Sequence, residues 1–550
     1  MHRNVRYNCR VIVLDGKIIL IRPKMVMADS GNYHESRYFA HWPRFARRLE
    51  QFFLPRIVRQ ATGQSTAPFG EAIIATLDTC IGFEVCEEFF VSNAPHTTMA
   101  LSGVEIFSNG SASHFEVGKL KRKVGLIKSA MARSGGIYLY SNCVGCDGDR
   151  AYYDGGSLIV ENGKIVECGG DFTLEDVSVV AAVVDLESVR TFRGLMQSMA
   201  GQAEYIANDY QRVVLENFSL SKPDGVYMKR KSTIPVSCFA RHDEIILAPA
   251  LWLYDYLCRS GAAGFFLPLS GGVDSCSVAL IVFRLAELLS DGCRDDILTV
   301  KEFLKEKLSI TNVNPGAELI CAKLLITAYM ATENSTENSQ RRAATLAKTL
   351  GIHHINLNFD TAVWAVSKVL EGVFSGFQPK FKSQGGQHGE DLALQNIQAR
   401  LRMVLGYAIA QLAPIALSGL AGPLLVLATG NASECLSGYY TKYDASSGDL
   451  NPIGGYSKPD LRQLVSLMKD RPKFTSILTE IVEATPSAEL TPTTGDQGQQ
   501  IDEADMGLTY EQLTQFSIWR YQDRAGPYSL LAHLKELQID YDPKTGSALL

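Results

Sequence analysis

No run of about twenty apolar residues, the length a membrane-spanning helix needs, occurs in this chain. No apolar segment stands in the polar, basic start MHRNVRYNCR, so a secretory signal is not expected either. Basic excess is also missing. Lys and Arg number 53 against 59 Asp and Glu, a net charge of −6, which removes the electrostatic footprint of a nonspecific nucleic-acid binder. Twelve cysteines dispersed over 550 residues do not make a disulfide framework. The CxxC pair Cys143 and Cys146 has no second pair and no histidine cluster to complete four zinc ligands. The Walker A pattern GxxxxGK[ST] is absent. The expectation is a cytoplasmic protein with small-molecule partners and no nucleic acid or membrane. With 46% hydrophobic residues, the chain can bury more than one core.

Residues 1–190 read as β-rich. RVIVLDGKIILI (Arg10 to Ile21) and SLIVENGKIVE (Ser157 to Glu167) are apolar runs broken by Asp-Gly and Asn-Gly, strong hairpin signals. EAIIATLDTCIGFEVCEEF and GVEIFSNGSAS read as buried strands ending in turns. A polar stretch near Arg212 to His242 falls within an expected linker, 191–245. From 246 to 550 the rhythm changes. The strands FFLPL, LICAKLLITAYMAT, HHINLNF and GPLLVLATG alternate with helical patterns, which predicts a doubly wound parallel sheet. Two glycine-rich and polar segments, 376–391 and 491–507, are expected to be mobile loops near substrate.

In LPLSGGVDSCSVALIVFRL a buried strand runs into Ser270, Gly271, Gly272, Val273, Asp274 and Ser275, then an apolar helix. Glycines let the backbone approach a ligand, a helix start offers unpaired N–H groups, and the serines add hydroxyl donors. Asp274 would repel a bare phosphate, so its presence argues for a divalent cation between carboxylate and phosphates, magnesium suiting the oxygen ligands best. Asn396 and Arg400, four apart on a predicted helix, share one face suited to a phosphate or carboxylate. Glu434 follows the strand LLVLATG at the sheet edge where ligands bind.

SGGVDS resembles the pyrophosphate loop of ATP-pyrophosphatases. LQNIQARLRM (394–403), ATGNASECLSGYYTKYDASSGDLNPIGGYSK (428–458) and TPSAEL (485–490) narrow the resemblance to NAD synthetases. That resemblance implies ATP contacts at Pro268, Leu269, Ser270, Gly271, Gly272, Val273, Asp274, Ser275, Thr429, Lys458 and Ser487. It implies deamido-NAD contacts at Asn396, Arg400, Lys442 and Asp449, magnesium at Asp274 and Glu434, and a catalytic role for Ser270. The implied chemistry has two steps: the carboxylate of deamido-NAD is adenylated by ATP, and ammonia then displaces AMP to give NAD.

The stretch EVCEEFF sets Cys86 among Glu84, Glu87 and Glu88, whose charges oppose the thiolate through which cysteine attacks. NVRYNCRVIVLDGKIILIRPKM, GNYHESRYF, DTCIGFEVCEEFF, GVEIFSNGSASH and GCDGDRAYYDGGSLIVENG resemble the nitrilase-like glutaminase domain fused to glutamine-dependent NAD synthetases. The fold implied is a nitrilase-like α-β-β-α sandwich followed by a parallel-sheet ATP-pyrophosphatase domain, both shortened at their outer ends. In that family a cysteine, a lysine and a glutamate act together. Cys86 and Lys24 match the first two, and Tyr33, Ser113 and Lys119 are candidate glutamine contacts. A helix starting at Cys86 is expected to offset the glutamates. The family's glutamate lies upstream of its lysine, before the first residue here, and Asp15, in a hairpin turn, is a poor substitute. Competing readings are an ammonia-only synthetase with a silent glutaminase domain, and a nonenzymatic nucleotide-binding remnant. A tRNA-modifying ATP-pyrophosphatase fits less well without a basic patch. The resemblance also implies a homo-oligomer.

Overall fold

The computed structural model describes residues 1–43, 49–148, 150–205, 210–221, 233–234, 242–418, 422–492 and 501–536. They form two compact units, Met1–His242 and Asp243–Leu550.

In the first unit, β1 (Cys9–Leu14) and β2 (Lys17–Pro23) make the expected hairpin. Asp15 and Gly16 take φ of 50° and 72°, the left-handed pair that lets a two-residue turn follow strand twist. With β3 (Glu50–Phe53) and β4 (Thr66–Phe69) they form a four-stranded sheet in the order β1-β2-β4-β3.

The larger sheet holds eight strands. They are β5 (Ala72–Ala75), β6 (Cys80–Val85), β7 (Ile106–Ser111), β8 (Ile137–Asn142), β9 (Val144–Cys146), β10 (Tyr152–Glu161), β11 (Lys164–Asp171) and β12 (Gln211–Val214). Their order is β11-β10-β8-β7-β6-β5-β12, with β9 on β10. Leu20 of β2 packs with Ile74 and Phe83, joining the two sheets. Helices Pro95–Leu101 and Lys119–Ser134 cover the larger sheet through Met99, Val124, Ile127, Phe107 and Tyr138. A fully buried side chain of this size contributes about 1.5–3 kcal/mol. Strands β6, β7 and β8 are mutually parallel, so their C-terminal ends share one edge.

The segment 191–245 differs from the expected linker. It includes the helix Gln197–Glu204 and β12, whose backbone pairs in parallel with β5 from Gln211 opposite Ala72 to Val214 opposite Ala75. The polar sequence concealed it because an edge strand needs backbone partners more than an apolar face. Residues 206–209, 222–232 and 235–241 of this segment lie outside the described residues.

The second unit is built on β13 (Gly264–Pro268), β14 (Leu325–Ala331), β15 (His353–Asn358) and β16 (Leu424–Val426), all parallel, in the order β15-β14-β13-β16. The chain moves outward from β13 to β15, then returns to the other side of β13 with β16. That reversal opens a crevice beyond the carboxyl ends of β13 and β16. LICAKLLITAYMAT divides into a helix, Ala317–Leu324, and β14, since an unbroken apolar run does not distinguish buried helix from buried strand. Of the two expected loops, 376–391 contains a 3-10 turn, Lys382–Gln384, and the start of the helix His388–Ala413. In 491–507 a short helix, Asp502–Met506, is present, and 493–500 lies outside the described residues. Among the described residues one helical stretch, His388–Leu417, is long and apolar enough by composition to cross a membrane, although it carries Arg400 and Arg402.

Candidate active sites

Cys86 is the first residue past β6, at the shared edge of β6, β7 and β8. The expected helix is only a four-residue 3-10 turn, Cys86–Phe89, too short to carry a useful macrodipole. What distinguishes the position is its backbone. Cys86 has φ of 47°, a left-handed conformation disfavoured for a residue with a side chain and held only where surroundings impose it. The thiol opens on a cavity of about 770 Å³ whose lining includes Lys24, Tyr33, Glu35, Cys86, Ala112 and Cys143.

Two of the three neighbouring glutamates are occupied elsewhere. Glu84, buried at the end of β6, accepts from His96 Nδ1 at 3.0 Å and from the Tyr138 hydroxyl at 2.5 Å. Against burial, these partners hold its pKa below the usual range. Glu88 is paired with Arg22 at 2.7 Å, both side chains fully buried. Its two oxygens also accept the backbone N–H groups of Val85 and Met25, each at 2.7 Å, so one carboxylate ties the residue before Cys86 to the residue after Lys24. Glu87 remains. Burial raises its pKa, while Lys24 and Lys119 act to lower it.

Lys24 is buried, and its Nζ donates to Glu35 Oε2 at 2.5 Å. Glu35 also accepts from the Asn8 amide and the Ala28 backbone N–H. Glu35 stands downstream of Lys24, whereas the family resemblance implies a carboxylate upstream of it. GNYHE is a loop signal with no helical or strand spacing to mark it. Tyr33 lines the cavity and its hydroxyl donates to Ala112 O at 2.8 Å. Ser113 is buried, its N–H on Asn142, and Lys119 is bound to Glu116 at 2.8 Å. Neither is among the residues lining the cavity.

In the second unit, Ser270 to Ser275 link β13 to the helix Val273–Arg294. The Ser270 and Ser275 hydroxyls lie 3.0 Å apart, and Ser275 Oγ also accepts the Ser270 N–H. Gly271 has φ of 79°, and a Cβ there would sit 2.4 Å from the Ser339 carbonyl oxygen. Only glycine fits. Its own carbonyl accepts from Arg342 Nε.

Asp274 meets residues distant in sequence. Lys458 Nζ lies 2.5 Å from Asp274 Oδ2 and 3.7 Å from Glu434 Oε1, and Asn431 Nδ2 donates to Asp274 Oδ1 at 2.8 Å. Burial and the charge of Asp274 push Glu434 up to about 8, Lys458 pulling the other way. Burial disfavours the Lys458 ammonium, but Asp274 and Glu434 outweigh it and raise its pKa. Asp502 bonds the Tyr510 hydroxyl at 3.1 Å, and the Lys458 ammonium stands 5.0 Å from the Tyr510 ring. Burial raises the Asp502 pKa in turn, countered by Lys458. Asn431, which sequence reasoning did not single out, caps the helix Ala432–Ser437, its side chain accepting the Glu434 N–H. Asp502 and Tyr510 had no local signal at all.

Among the described residues no group of three metal-ligating side chains forms. Asp274 and Glu434 nonetheless suit magnesium, which takes one or two carboxylates and completes its shell with phosphate oxygens and water.

Thr429, just past β16, donates its N–H to Ala445 O. The Ser487 hydroxyl accepts the Glu489 N–H, and the Glu489 carboxylate accepts from Thr336 and from Ser339, whose carbonyl faces Gly271. A second patch gathers the expected dinucleotide contacts. Asn396 accepts from Thr441 at 2.6 Å, and Arg400 Nε donates to Lys442 O at 3.0 Å. Asp449 accepts the Val426 N–H at 2.8 Å and the Tyr407 hydroxyl at 3.2 Å. Lys442 Nζ lies 5.1 Å from the Tyr443 ring.

Comparison with known proteins agrees with both halves. The carbon-nitrogen hydrolase family matches residues 1–194 and the NAD synthase family residues 245–534. The glutamine-dependent NAD(+) synthetase of Mus musculus is 45% identical over 547 residues, covering 99% of this chain and 74% of the relative. That of Saccharomyces cerevisiae is 44% identical over 544 residues, covering 97% and 75%. A crystal structure of a glutamine-dependent NAD(+) synthetase from Cytophaga hutchinsonii shares the fold at a TM-score of 0.70 with 23% identity, covering 98% of this chain and 75% of that one. By this relatedness over nearly its whole length, the chain belongs to the glutamine-dependent NAD(+) synthetase family.

Proposed function

We propose that the chain amidates deamido-NAD to NAD at the expense of ATP, using ammonia released from glutamine. The observation that carries this reading is the buried Lys458 set between Asp274 and Glu434 at the mouth of the SGGVDS loop. A cation flanked by carboxylates beside a glycine-rich strand-to-helix turn is a place prepared for polyphosphate charge.

In this reading the loop from Pro268 to Ser275 holds the ATP phosphates with Ser270 and Ser275, and Thr429 and Ser487 complete the ATP side. Asn396, Arg400, Lys442 and Asp449 position the dinucleotide, whose nicotinate carboxylate attacks the α-phosphorus. Lys458 stabilises charge on the departing pyrophosphate. Asp274 and Glu434 are the residues that would hold magnesium, which when bound supplies further charge neutralisation on the phosphates. Ammonia then displaces AMP.

In the first unit Cys86 attacks the glutamine carboxamide, Lys24 stabilises the thiolate and the oxyanion that forms, and Glu35 orients Lys24. Tyr33, Ser113 and Lys119 are the proposed glutamine contacts. Exposed apolar side chains support self-association into a homo-oligomer. They include Trp364 and Val369 on the helix Asp360–Val373, and Val404 and Leu412 on the helix His388–Ala413. Cytoplasmic location is the setting that suits free thiols and these substrates.

The test compares NAD formation driven by glutamine with that driven by ammonium. Cys86→Ala should abolish the first and spare the second, and Asp274→Asn should abolish both. Glutamine-driven synthesis surviving Cys86→Ala would overturn the glutaminase assignment.

A further inference from the structure

The left-handed backbone at Cys86 needs something to hold it, and the side chain that does so lies on the neighbouring strand. Asn109, on β7 and 1% exposed, accepts the Cys86 backbone N–H at 3.1 Å through Oδ1, which also accepts the Ser111 hydroxyl at 2.9 Å. Its Nδ2 donates to the Tyr138 hydroxyl at 3.2 Å. Tyr138 in turn donates to Glu84 Oε2, and Glu84 Oε1 accepts both the backbone N–H of His96 at 2.8 Å and its Nδ1. The order of donors is forced. An ionised carboxylate only accepts, so the tyrosine must donate to it, and its oxygen is left to accept from an amide nitrogen. That fixes which end of the Asn109 amide faces Cys86.

The base of this chain is held from behind. His96 stands on the helix Pro95–Leu101, which packs so closely on β6 that a Cβ at Gly82 would lie 2.6 Å from the Met99 sulfur. Every member is buried, and nothing in the proposed chemistry uses any of them.

We infer that Asn109 is the positioning residue of the glutaminase nucleophile: its amide, oriented by Tyr138, Glu84 and His96, holds the Cys86 main chain so that the thiol faces the cavity beside Lys24. This rests on Cys86 being the nucleophile. It also commits the Cys86 N–H, so that group cannot serve the oxyanion, and charge stabilisation falls to Lys24 and other donors.

The experiment uses the full chain and follows alkylation by iodoacetamide, peptide by peptide, alongside NAD synthesis driven by glutamine or ammonium. Cys143 lines the same cavity and is exposed, so it reports access without reporting Asn109. Asn109→Ala should slow alkylation of Cys86 at least tenfold with Cys143 unchanged, and lower kcat for glutamine about a hundredfold with little change in KM or in ammonium-driven synthesis. Tyr138→Phe, which removes the oxygen that orients the amide, should give a smaller loss of the same kind. Equal slowing at both cysteines, or no slowing at either, would overturn the inference. If Asn109→Ala does not fold, Tyr138→Phe decides: unchanged Cys86 alkylation and glutamine kcat would overturn it. Cys86→Ala separates the two layers. If that variant still uses glutamine, the nucleophile assignment falls; if it does not and Asn109→Ala behaves as wild type, only the positioning role falls.

Discussion

Lys458 Nζ sits 2.5 Å from Asp274 Oδ2 although 184 residues separate them, and only 2% of the lysine side chain is exposed. Removing one partner of a buried pair costs about 3–5 kcal/mol because the other charge is stranded. Lys458→Met should therefore lower the denaturant midpoint of the second unit and reduce ATP-dependent pyrophosphate release by more than a hundredfold. Retained pyrophosphate release would show that the lysine is structural only.

Glu434 makes that site sensitive to pH. Its ordinary pKa is 4.5, and in the folded unit burial and Asp274 raise it to about 8. The folded state thus keeps a proton that the unfolded chain releases. Stability from this group is fully present below pH 4.5 and is lost progressively as pH rises toward about 8. Glu434→Gln should flatten that decline in denaturant titrations across the interval. An unchanged slope would place the titration on another group.

The same proton should leave when a cation binds. At pH 7, calorimetric titration with magnesium and ATP in two buffers of different ionisation heat should reveal proton release, absent in Glu434→Gln. Equal release in both proteins would remove Glu434 from the metal site.

Arg22 and Glu88 are an ion pair with both side chains fully buried. Arg22→Met should cost the first unit about 3–5 kcal/mol, seen as an earlier thermal transition. Since Glu88 also joins Val85 to Met25, glutamine-driven synthesis should fall more than ammonium-driven synthesis. Equal losses would mean that the pair serves stability alone.

Gly271→Ala should abolish ATP binding with little change in the first unit's thermal transition. The new methyl group meets the Ser339 carbonyl oxygen in a backbone conformation that already disfavours alanine. Normal ATP affinity would mean that the loop can move aside without loss.

What could be read from the sequence was whatever is local. The Asp-Gly and Asn-Gly hairpins, the strand before SGGVDS and the alternation of the second half all depend on residues adjacent in the chain, and the structure contains them. The strand at Gln211–Val214 was hidden in polar sequence, and Asp502, Tyr510 and Asn431 reach Asp274 or Lys458 only through tertiary folding. Glu35 escaped for a different reason. It lies 11 residues past Lys24 in a loop, where spacing carries no facing rule. The glutamates of EVCEEFF looked hostile to Cys86 because sequence shows proximity without direction. Glu84 and Glu88 turn toward His96, Tyr138 and Arg22.

The bracing of Gly271 has a consequence for how the molecule matures. Its loop rests on the Ser339 carbonyl, and the Ser339 hydroxyl is held by Glu489, 150 residues further on. Contacts spanning such separations slow folding, because their loop-closure entropy is lost before the contact forms. The loop is therefore complete only when Gly271, Ser339 and Glu489 are all in place, and ATP binding favours chains in which they are over those in which they are not.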